Sequence, residues 1–351
     1  WYAEYFYHHW FTNDSDILRF MDALGLAHNR FVVATKTGIK RNGAVHPIDG
    51  PWSILKYPGV SITAKLRLAA AVLYLKTVTR WQRFDSVLLE DGLRSLFGNN
   101  ATERIWAPLA RSKWGGQYRE VNMTWFWARI KKRTTRLGYY TGGFGRFARD
   151  TVAALEIKGV RVTCGADVTG ITKEGGKIAV TRDGGITERY DIVLLTSSPA
   201  AVERLCGHAD AAFTQRLRSL RYLGASVFVF ALKESLLRGY YWLNVADDRA
   251  TEDVLWPLVV VEQSAIADRS HYGGSALVYV GLYRDVRSAE EWALFRRNAL
   301  QVMREVNTRF DESWIVSEWK HHTEYAQPLY GLDHATTVPS FDTPIEGTVV
   351  A

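Results

Sequence analysis

The chain has 351 residues, enough for two or three domains. Its 47% hydrophobic and 23% charged content is that of an ordinary globular protein, and a net charge of +7 mildly favours anionic partners. Two cysteines exclude a disulfide framework and a cysteine-based zinc site, no nucleic-acid module is recognisable, and no apolar run approaches the ~20 residues that span a bilayer.

The chain opens on an aromatic segment containing Tyr7, His8, His9, Trp10 and Phe11. Asp14 or Ser15 then caps a predicted helix carrying Ile17, Leu18, Phe20, Met21 and Leu24, ended at Gly25. Residues 31–39 and 44–48 read as a hairpin, with Asn42-Gly43 as its turn. A helix is predicted over 61–78, with Ile62, Leu66, Ala69, Ala70, Leu73 and Thr77 on one side and Lys65, Arg67 and Lys76 around it. It suits either a domain core or a membrane interface. Another helix over 87–97 ends at Gly98-Asn99-Asn100. The basic run Arg129, Lys131, Lys132, Arg133 and Arg136 follows an aromatic cluster, and reads either as a solvated helix face or as a contact for phosphates of lipid or substrate.

Gly142-Gly143 opens an amphipathic helix in which Phe144, Phe147, Ala148, Val152 and Leu155 recur at three- and four-residue steps. Thr141 is the predicted N-cap and Gly159 the stop. Strands are predicted at 160–164, placing Cys164 in the core, at 167–173 and at 177–181. The apolar run 192–196 suits a strand buried on both faces, as in a parallel sheet. Residues 202–221 read as helical, and strands follow at 225–232, 240–245, 258–262 and 276–283. A helix over 290–310 carries Trp292, Phe295, Ala299, Val302 and Val306 on its buried stripe. A final strand over 314–319 leads to His321 and His322, which alternate sides when extended and so make no metal pair. No HExxH, Ser-His-Asp or P-loop pattern occurs.

This order resembles the flavin amine oxidase superfamily, which includes protoporphyrinogen oxidases, phytoene-desaturase-like enzymes and monoamine oxidases. The resemblance rests on Tyr7-His8-His9-Trp10-Phe11 with Leu24-Gly25-Leu26, on Gly142-Gly143-Phe144, on Gly159-Val160 through Val168 to Ile171, and on Asp191 to Pro199. Tyr241-Trp242-Leu243-Asn244-Val245, Tyr325-Ala326-Gln327-Pro328 and Thr343-Pro344-Ile345 extend it. Its most specific part is Trp106, Pro108, Leu109, Lys113, Gly115, Glu120, Val121, Trp125, Trp127 and Lys131, which is similar to a bacterial branch of FAD-dependent, protoporphyrinogen-oxidase-like oxidoreductases.

The resemblance implies an α/β fold of the FAD/NAD(P)-binding, glutathione-reductase-like, amine oxidase type with an inserted α+β substrate domain. Residues 1–137 and 206–339 are then the substrate domain, 138–205 a portion of the FAD domain, and 340–351 its return strand. It implies FAD as cofactor, with Val168 holding the adenine through backbone groups and Gly142, Gly143, Ser197, Ser198 and Pro199 on the cofactor side. His8, His9, Trp10, Tyr241, Trp242, Tyr325 and Gln327 line the substrate side and, with Tyr7, are expected to converge on one cavity beside Gly142-Gly143. A histidine beside a flavin accepts a proton or binds a substrate acid; the alternative is that one ring packs and the other is solvated. No catalytic residue and no metal ligand is assigned.

The function so implied is removal of a hydride from a C–H or C–N bond of a small, hydrophobic molecule. Two alternatives stand beside it. One is a UDP-galactopyranose-mutase-like isomerase, though Phe11 precedes Thr12 where mutases carry a further histidine. The other is a non-catalytic membrane-surface interaction protein. A cytoplasmic location with peripheral membrane contact is expected. No G-x-G-x-x-G turn precedes Trp1, and the family's C-terminal FAD segment would follow Ala351, so the chain reads as truncated at both ends. On that reading this stretch alone binds FAD weakly.

Overall fold

A computed structural model describes residues 1–41, 43–247 and 255–351. It contains two compact units, Trp1–Val160 with Leu223–Gln327, and Arg161–Tyr222 with Pro328–Ala351.

The first unit is built on a mixed seven-stranded sheet. Its strand order is Ile315–Pro328, Tyr222–Leu232, Ala276–Leu282, Val259–Glu262, Tyr240–Val245, Lys36–Arg41, Ala44–Pro47. Tyr240–Val245 and Lys36–Arg41 run parallel, while the pairs on either side of them are antiparallel. Every residue of Ala276–Leu282 is buried, as befits a central strand covered on both faces.

One face of this sheet packs against the helix Ala289–Val306. Phe228, Phe230, Val278 and Val280 meet Trp292, Phe295, Ala299 and Val302 in a hydrocarbon core. Each large side chain buried there stabilises the unit by about 1.5–3 kcal/mol. Ser288 and Glu291 form a capping box that fixes where this helix begins. The opposite face carries Val227, Val229, Tyr241, Val259, Val261, Leu277 and Tyr279, joined by Leu137, Tyr139 and Tyr272. A small antiparallel sheet of Trp10–Phe11, Arg136–Tyr140 and Arg30–Ala34 belongs to the same unit. So do the helices Ile62–Thr77, Leu89–Ala101, Ala107–Trp114, Met123–Lys132 and Gly143–Ile157.

The second unit has an antiparallel meander, Val168–Glu174, Lys177–Arg182 and Ile186–Tyr190. Beside it Val193–Leu195 pairs in parallel with Thr348–Val350. The helices Pro199–Cys206 and Ala211–Ser219 complete a core of Ile171, Ile178, Leu195, Val202, Leu205, Cys206, Phe213 and Ile345.

Several sequence expectations need correction. Residues 160–164 form no strand: no other strand of the described residues lies beside them, and a strand without a ladder leaves its backbone groups unpaired. Cys164 is exposed, not core. The 192–196 run is a strand over Val193–Leu195 with a single neighbour, and Ile192 and Leu194 are 71% and 59% exposed, so it is not buried on both faces.

The predicted hairpin divides. Arg30–Ala34 joins the small sheet, and only Lys36–Arg41 pairs with Ala44–Pro47. Asn42 of its turn lies outside the described residues. Gly98 does not end its helix but kinks it at φ 76°, and the helix continues to Ala101. The 202–221 stretch is two helices, broken after Cys206. The helix over 61–78 buries Ala64, Leu68, Ala71 and Leu75, while Ile62, Leu66 and Leu73 on its other side are exposed. Both of its faces are therefore apolar, which is why its sequence pattern suited two environments.

Candidate active site

The opening segment crosses the aromatic face of the seven-stranded sheet. Trp1 meets Trp319 edge-on at 5.6 Å, and the ring of Tyr5 stacks on His321 at 4.3 Å. The Tyr279 hydroxyl donates to the Glu4 carbonyl at 2.8 Å, and Tyr7 lies edge-on to Trp242 at 4.9 Å. His9 ends this path, with Nδ1 2.9 Å from the Tyr241 hydroxyl.

A β-bulge makes that end possible. Side chains normally alternate across a strand, so neighbours such as Tyr241 and Trp242 face opposite ways. Here the register against Lys36–Arg41 slips between Tyr240 and Trp242. Tyr240 packs with the hydrocarbon core, while Tyr241 and Trp242 both face the aromatic side. Bulges re-aim side chains in this way. His9 then sits edge-on to both rings, at 5.6 and 6.1 Å.

Gly138 allows the next residue to fit. Trp10 pairs with Gly138, and a Cβ there would lie 1.7 Å from the Trp10 indole nitrogen. Only glycine permits this approach. Trp10 is thereby buried against Phe144, 5.5 Å away. His8 is exposed, with Nδ1 2.6 Å from the Phe6 carbonyl and its ring 5.5 Å from Phe144.

Burial lowers the His9 pKa to about 4, with Arg133, Arg129 and His8 adding repulsion. The imidazole is therefore neutral at pH 7. Burial also pushes the Tyr241 phenol well above its ordinary value, with Glu4 and Tyr272 contributing. The His9–Tyr241 pair is thus a neutral hydrogen bond that can relay or share a proton without a change of charge.

Glu4 occupies the start of the Gly143–Ile157 helix. Gly142 and Gly143, at φ 84° and 80°, precede it, and Glu4 Oε1 accepts from the Phe144 N–H at 2.7 Å and from the Tyr139 hydroxyl at 2.6 Å. Thr141 is therefore not the cap: Gly142 is the N-cap residue and a distant carboxylate binds the free N–H. Glu4 Oε2 is buried and has no partner.

The basic run sorts into two groups. Lys131 Nζ donates to the carbonyls of Lys76 and Val78, and Lys76 returns the bond to Lys131 and Arg133, locking two helices together. Arg129 and Arg133 have no carboxylate partner among the described residues. Lys113, half-buried, is held by rings instead: its Nζ lies 4.3 Å from the centre of Tyr283, 5.3 Å from Trp114 and 5.4 Å from Trp125. Arg129 lies 5.4 Å from Trp125 as well. Cation–π contacts of this kind contribute about 0.5–2 kcal/mol each. The other inward lysine, Lys40, is neutralised by Asp247 at 2.6 Å and Glu305 at 2.7 Å. Desolvation, with Arg129 second, pulls the Lys113 pKa well down.

Of the residues expected on the substrate side, the structure brings together His9, Trp10, Tyr241 and Trp242, with Tyr7 among them and His8 at the edge. Tyr325 and Gln327 stand on the Ile315–Pro328 strand, four strands from Tyr240–Val245 in the sheet order. They share alternate positions with Trp319 and His321, which meet the opening segment. His322 takes the other face, its Nδ1 2.6 Å from Asp285.

In the second unit, Val168 lines a cleft of about 380 Å³ with Val180, Tyr190, Arg161 and Arg182. Ser198 caps the Pro199–Cys206 helix, accepting from the Ala201 N–H at 3.4 Å, with Pro199 in its first turn; Ser197 is exposed. Lys113 and Tyr283 were not expected at a site, and Arg129 was expected there only in the phosphate-contact reading of the basic run. Lys113 stood in the most specific motif, but its lack of an acidic partner is a property of the packed structure.

A sequence model of the flavin containing amine oxidoreductases matches residues 2–351. The chain belongs to that family. It is an oxidoreductase of the FAD-dependent, amine oxidase type, and its fold is that of the family. A solved structure assigned as a protoporphyrinogen oxidase, from an Exiguobacterium species, is 16% identical with a TM-score of 0.71, over 98% of this chain and 81% of that one. An oxidoreductase from Methanosarcina mazei is 17% identical, TM-score 0.69, over 95% and 79%. Reduced UDP-galactopyranose mutase is 13% identical, TM-score 0.68, over 94% and 74%. Comparison with curated proteins returns no match. No helix of the described residues is long and apolar enough to cross a membrane.

FAD is the family's cofactor, and the residues present fit part of it. The cleft at Val168 combines apolar walls, the Tyr190 ring, Arg182, and Arg161 paired with Glu188; the walls and ring suit a planar group, and Arg182 a phosphate. The first turn of the Gly143–Ile157 helix does not offer a free phosphate site, because Glu4 already takes the Phe144 N–H.

Proposed function

We propose that this oxidoreductase removes a hydride from a C–H bond, next to carbon or to nitrogen, of a small, largely hydrophobic substrate held against Tyr7, His9 and Trp242, with Tyr241 behind His9. FAD, when bound, supplies the hydride acceptor. Val168 and its cleft would hold the adenine end. Trp242 and Tyr7 supply flat apolar walls that orient a ring or chain and exclude water. His9 and Tyr241, both neutral, supply a proton-sharing pair beside this wall, and would take or pass the proton that accompanies hydride loss.

The observation that carries this reading is the bulge that turns Tyr241 and Trp242 together toward His9. The register slip interrupts the ladder at that point and brings both rings to one face of the sheet.

Anaerobic mixing of the FAD-loaded full-length protein with candidate amines, porphyrinogens and polyenes tests the reading. Bleaching of the oxidised flavin spectrum with a matching oxidised product is the expected result. Conversion of a UDP-sugar with no net flavin reduction would replace it with the mutase alternative.

A further inference from the structure

Two cations lie over rings of the aromatic region, and a third follows them in the chain, without an acid to balance them. Lys113, Arg129 and Arg133 have no carboxylate partner among the described residues; Lys113 and Arg129 lie over rings, and Arg133 is the exposed residue that ends the Met123–Lys132 helix. Lys113 and Arg129 share the ring of Trp125. Burial and their mutual repulsion depress Lys113 and Arg133. Arg129 and Arg133 nevertheless keep contact with solvent. Lys113 is half-buried among its rings, and Arg129, which shares the Trp125 ring with it, is exposed. Rings stabilise a cation but carry no net charge, so the repulsion between these groups persists until an anion arrives.

The cluster adjoins the site already described. Lys113 lies over Tyr283, and Tyr283 interacts with Tyr7 through their hydroxyls. Tyr7 in turn contacts Trp242, and Trp242 contacts His9. Charge and apolar wall therefore form one continuous surface.

We propose that Lys113 and Arg129, with the field of Arg133, bind a carboxylate or phosphate oxyanion on an otherwise apolar substrate, and so fix which part of that substrate lies beside His9. The assignment rests on the oxidoreductase reading above and narrows its substrate class. Arg129 offers a planar fork suited to either oxyanion, and Lys113 a point charge. An ammonium group brought to the same place meets three like charges, which discriminates against simple amines. In this respect the proposed site departs from amine-oxidising structural neighbours such as putrescine oxidase and cyclohexylamine oxidase.

The test is a calorimetric titration of the FAD-loaded full-length protein with decanoate, decyl phosphate, decylamine and uridine diphosphate, with the flavin spectrum recorded in parallel. Decanoate or decyl phosphate is expected to bind at least about tenfold more tightly than decylamine. Lys113→Met and Arg129→Met are each expected to weaken that binding by about tenfold or more while retaining FAD. If Lys113→Met does not fold, Arg129→Met on its solvent-open guanidinium decides the matter. Preference for decylamine, unchanged anion affinity in Arg129→Met, or binding of uridine diphosphate alone overturns the assignment. A wild-type protein that purifies without flavin fails the oxidoreductase reading instead, and the calorimetric comparison still decides the anion site.

Discussion

The two faces of the seven-stranded sheet are made from alternate residues of the same strands, and they bury different chemistry. Phe228, Phe230, Val278 and Val280 face the Ala289–Val306 helix in a layer that is mostly hydrocarbon, and its buried Asn298 is satisfied by the Leu255 carbonyl. Val227, Val229, Leu277 and Tyr279 face the other way and meet tyrosines, Glu4, His9 and unbalanced cations. On the first face most of the buried surface is apolar, and its burial lowers the free energy of folding. The second places hydroxyls and charges where several are desolvated, and Glu4 Oε2 has no partner at all. The first side supplies most of the apolar burial, and the proposed site lies on the other.

Phe295→Ala tests the first half of this comparison. Phe295 is fully buried, 5.2 Å from Phe228 and 5.9 Å from Trp292. Loss of its ring leaves a cavity and is expected to cost about 3–5 kcal/mol, read from the urea unfolding midpoint. The His9–Tyr241 pair lies across the sheet and its behaviour should be retained. A loss below about 1 kcal/mol would mean that this face is not the stabilising one.

The second face predicts a stability that depends on pH. His9 has a folded pKa of about 4, below the ordinary value of 6.5. As pH falls, the unfolded chain takes up the proton first. The contribution is therefore complete above about pH 6.5 and is lost as pH falls toward about 4, with a total of up to about 3 kcal/mol. By about pH 5 some 2 kcal/mol, roughly, should be gone. Unfolding midpoints of wild type and His9→Gln at the two pH values measure this as a difference between differences. Parallel curves would show that His9 is not depressed and that the second face is no more strained than the first.

The first face is legible from sequence, because apolar residues repeat at the periods of strand and helix. The strand at 240–245 has the bounds that its pattern gives, and Trp292, Phe295, Ala299 and Val302 are the buried stripe of their helix. Residues 160–164 show the limit of that reasoning: their alternation is strand-like, but a strand needs a neighbour. The second face is legible only in part. Resemblance pointed to His9, Tyr241 and Trp242, yet alternation would separate the last two, and a register slip cannot be seen in one sequence. Glu4 reaches a helix start 140 residues away, so a neighbouring threonine looks like the cap until the chain is folded. Lys113 reads as one lysine in a motif, and its unbalanced charge depends on what fails to pack near it.

Tyr241→Phe gives the smallest effect on stability and sharpens the comparison most. It removes one oxygen and leaves the ring buried, so hydrocarbon packing is kept. The lost hydrogen bond to His9 is worth about 1 kcal/mol, and the unfolding midpoint should move by no more than that. The rate of flavin reduction by substrate should fall further, by about tenfold or more, if the pair handles the proton. The same variant decides which group donates. A phenol donating to Nδ1 favours the neutral imidazole, so its loss should raise the His9 pKa from about 4, followed by its imidazole resonances. A ring N–H donating to the phenol favours the charged form, and its loss should lower the pKa instead. A variant with unchanged flavin reduction and an unmoved His9 would place Tyr241 with the packing residues, and the division between the two faces would end at Trp242.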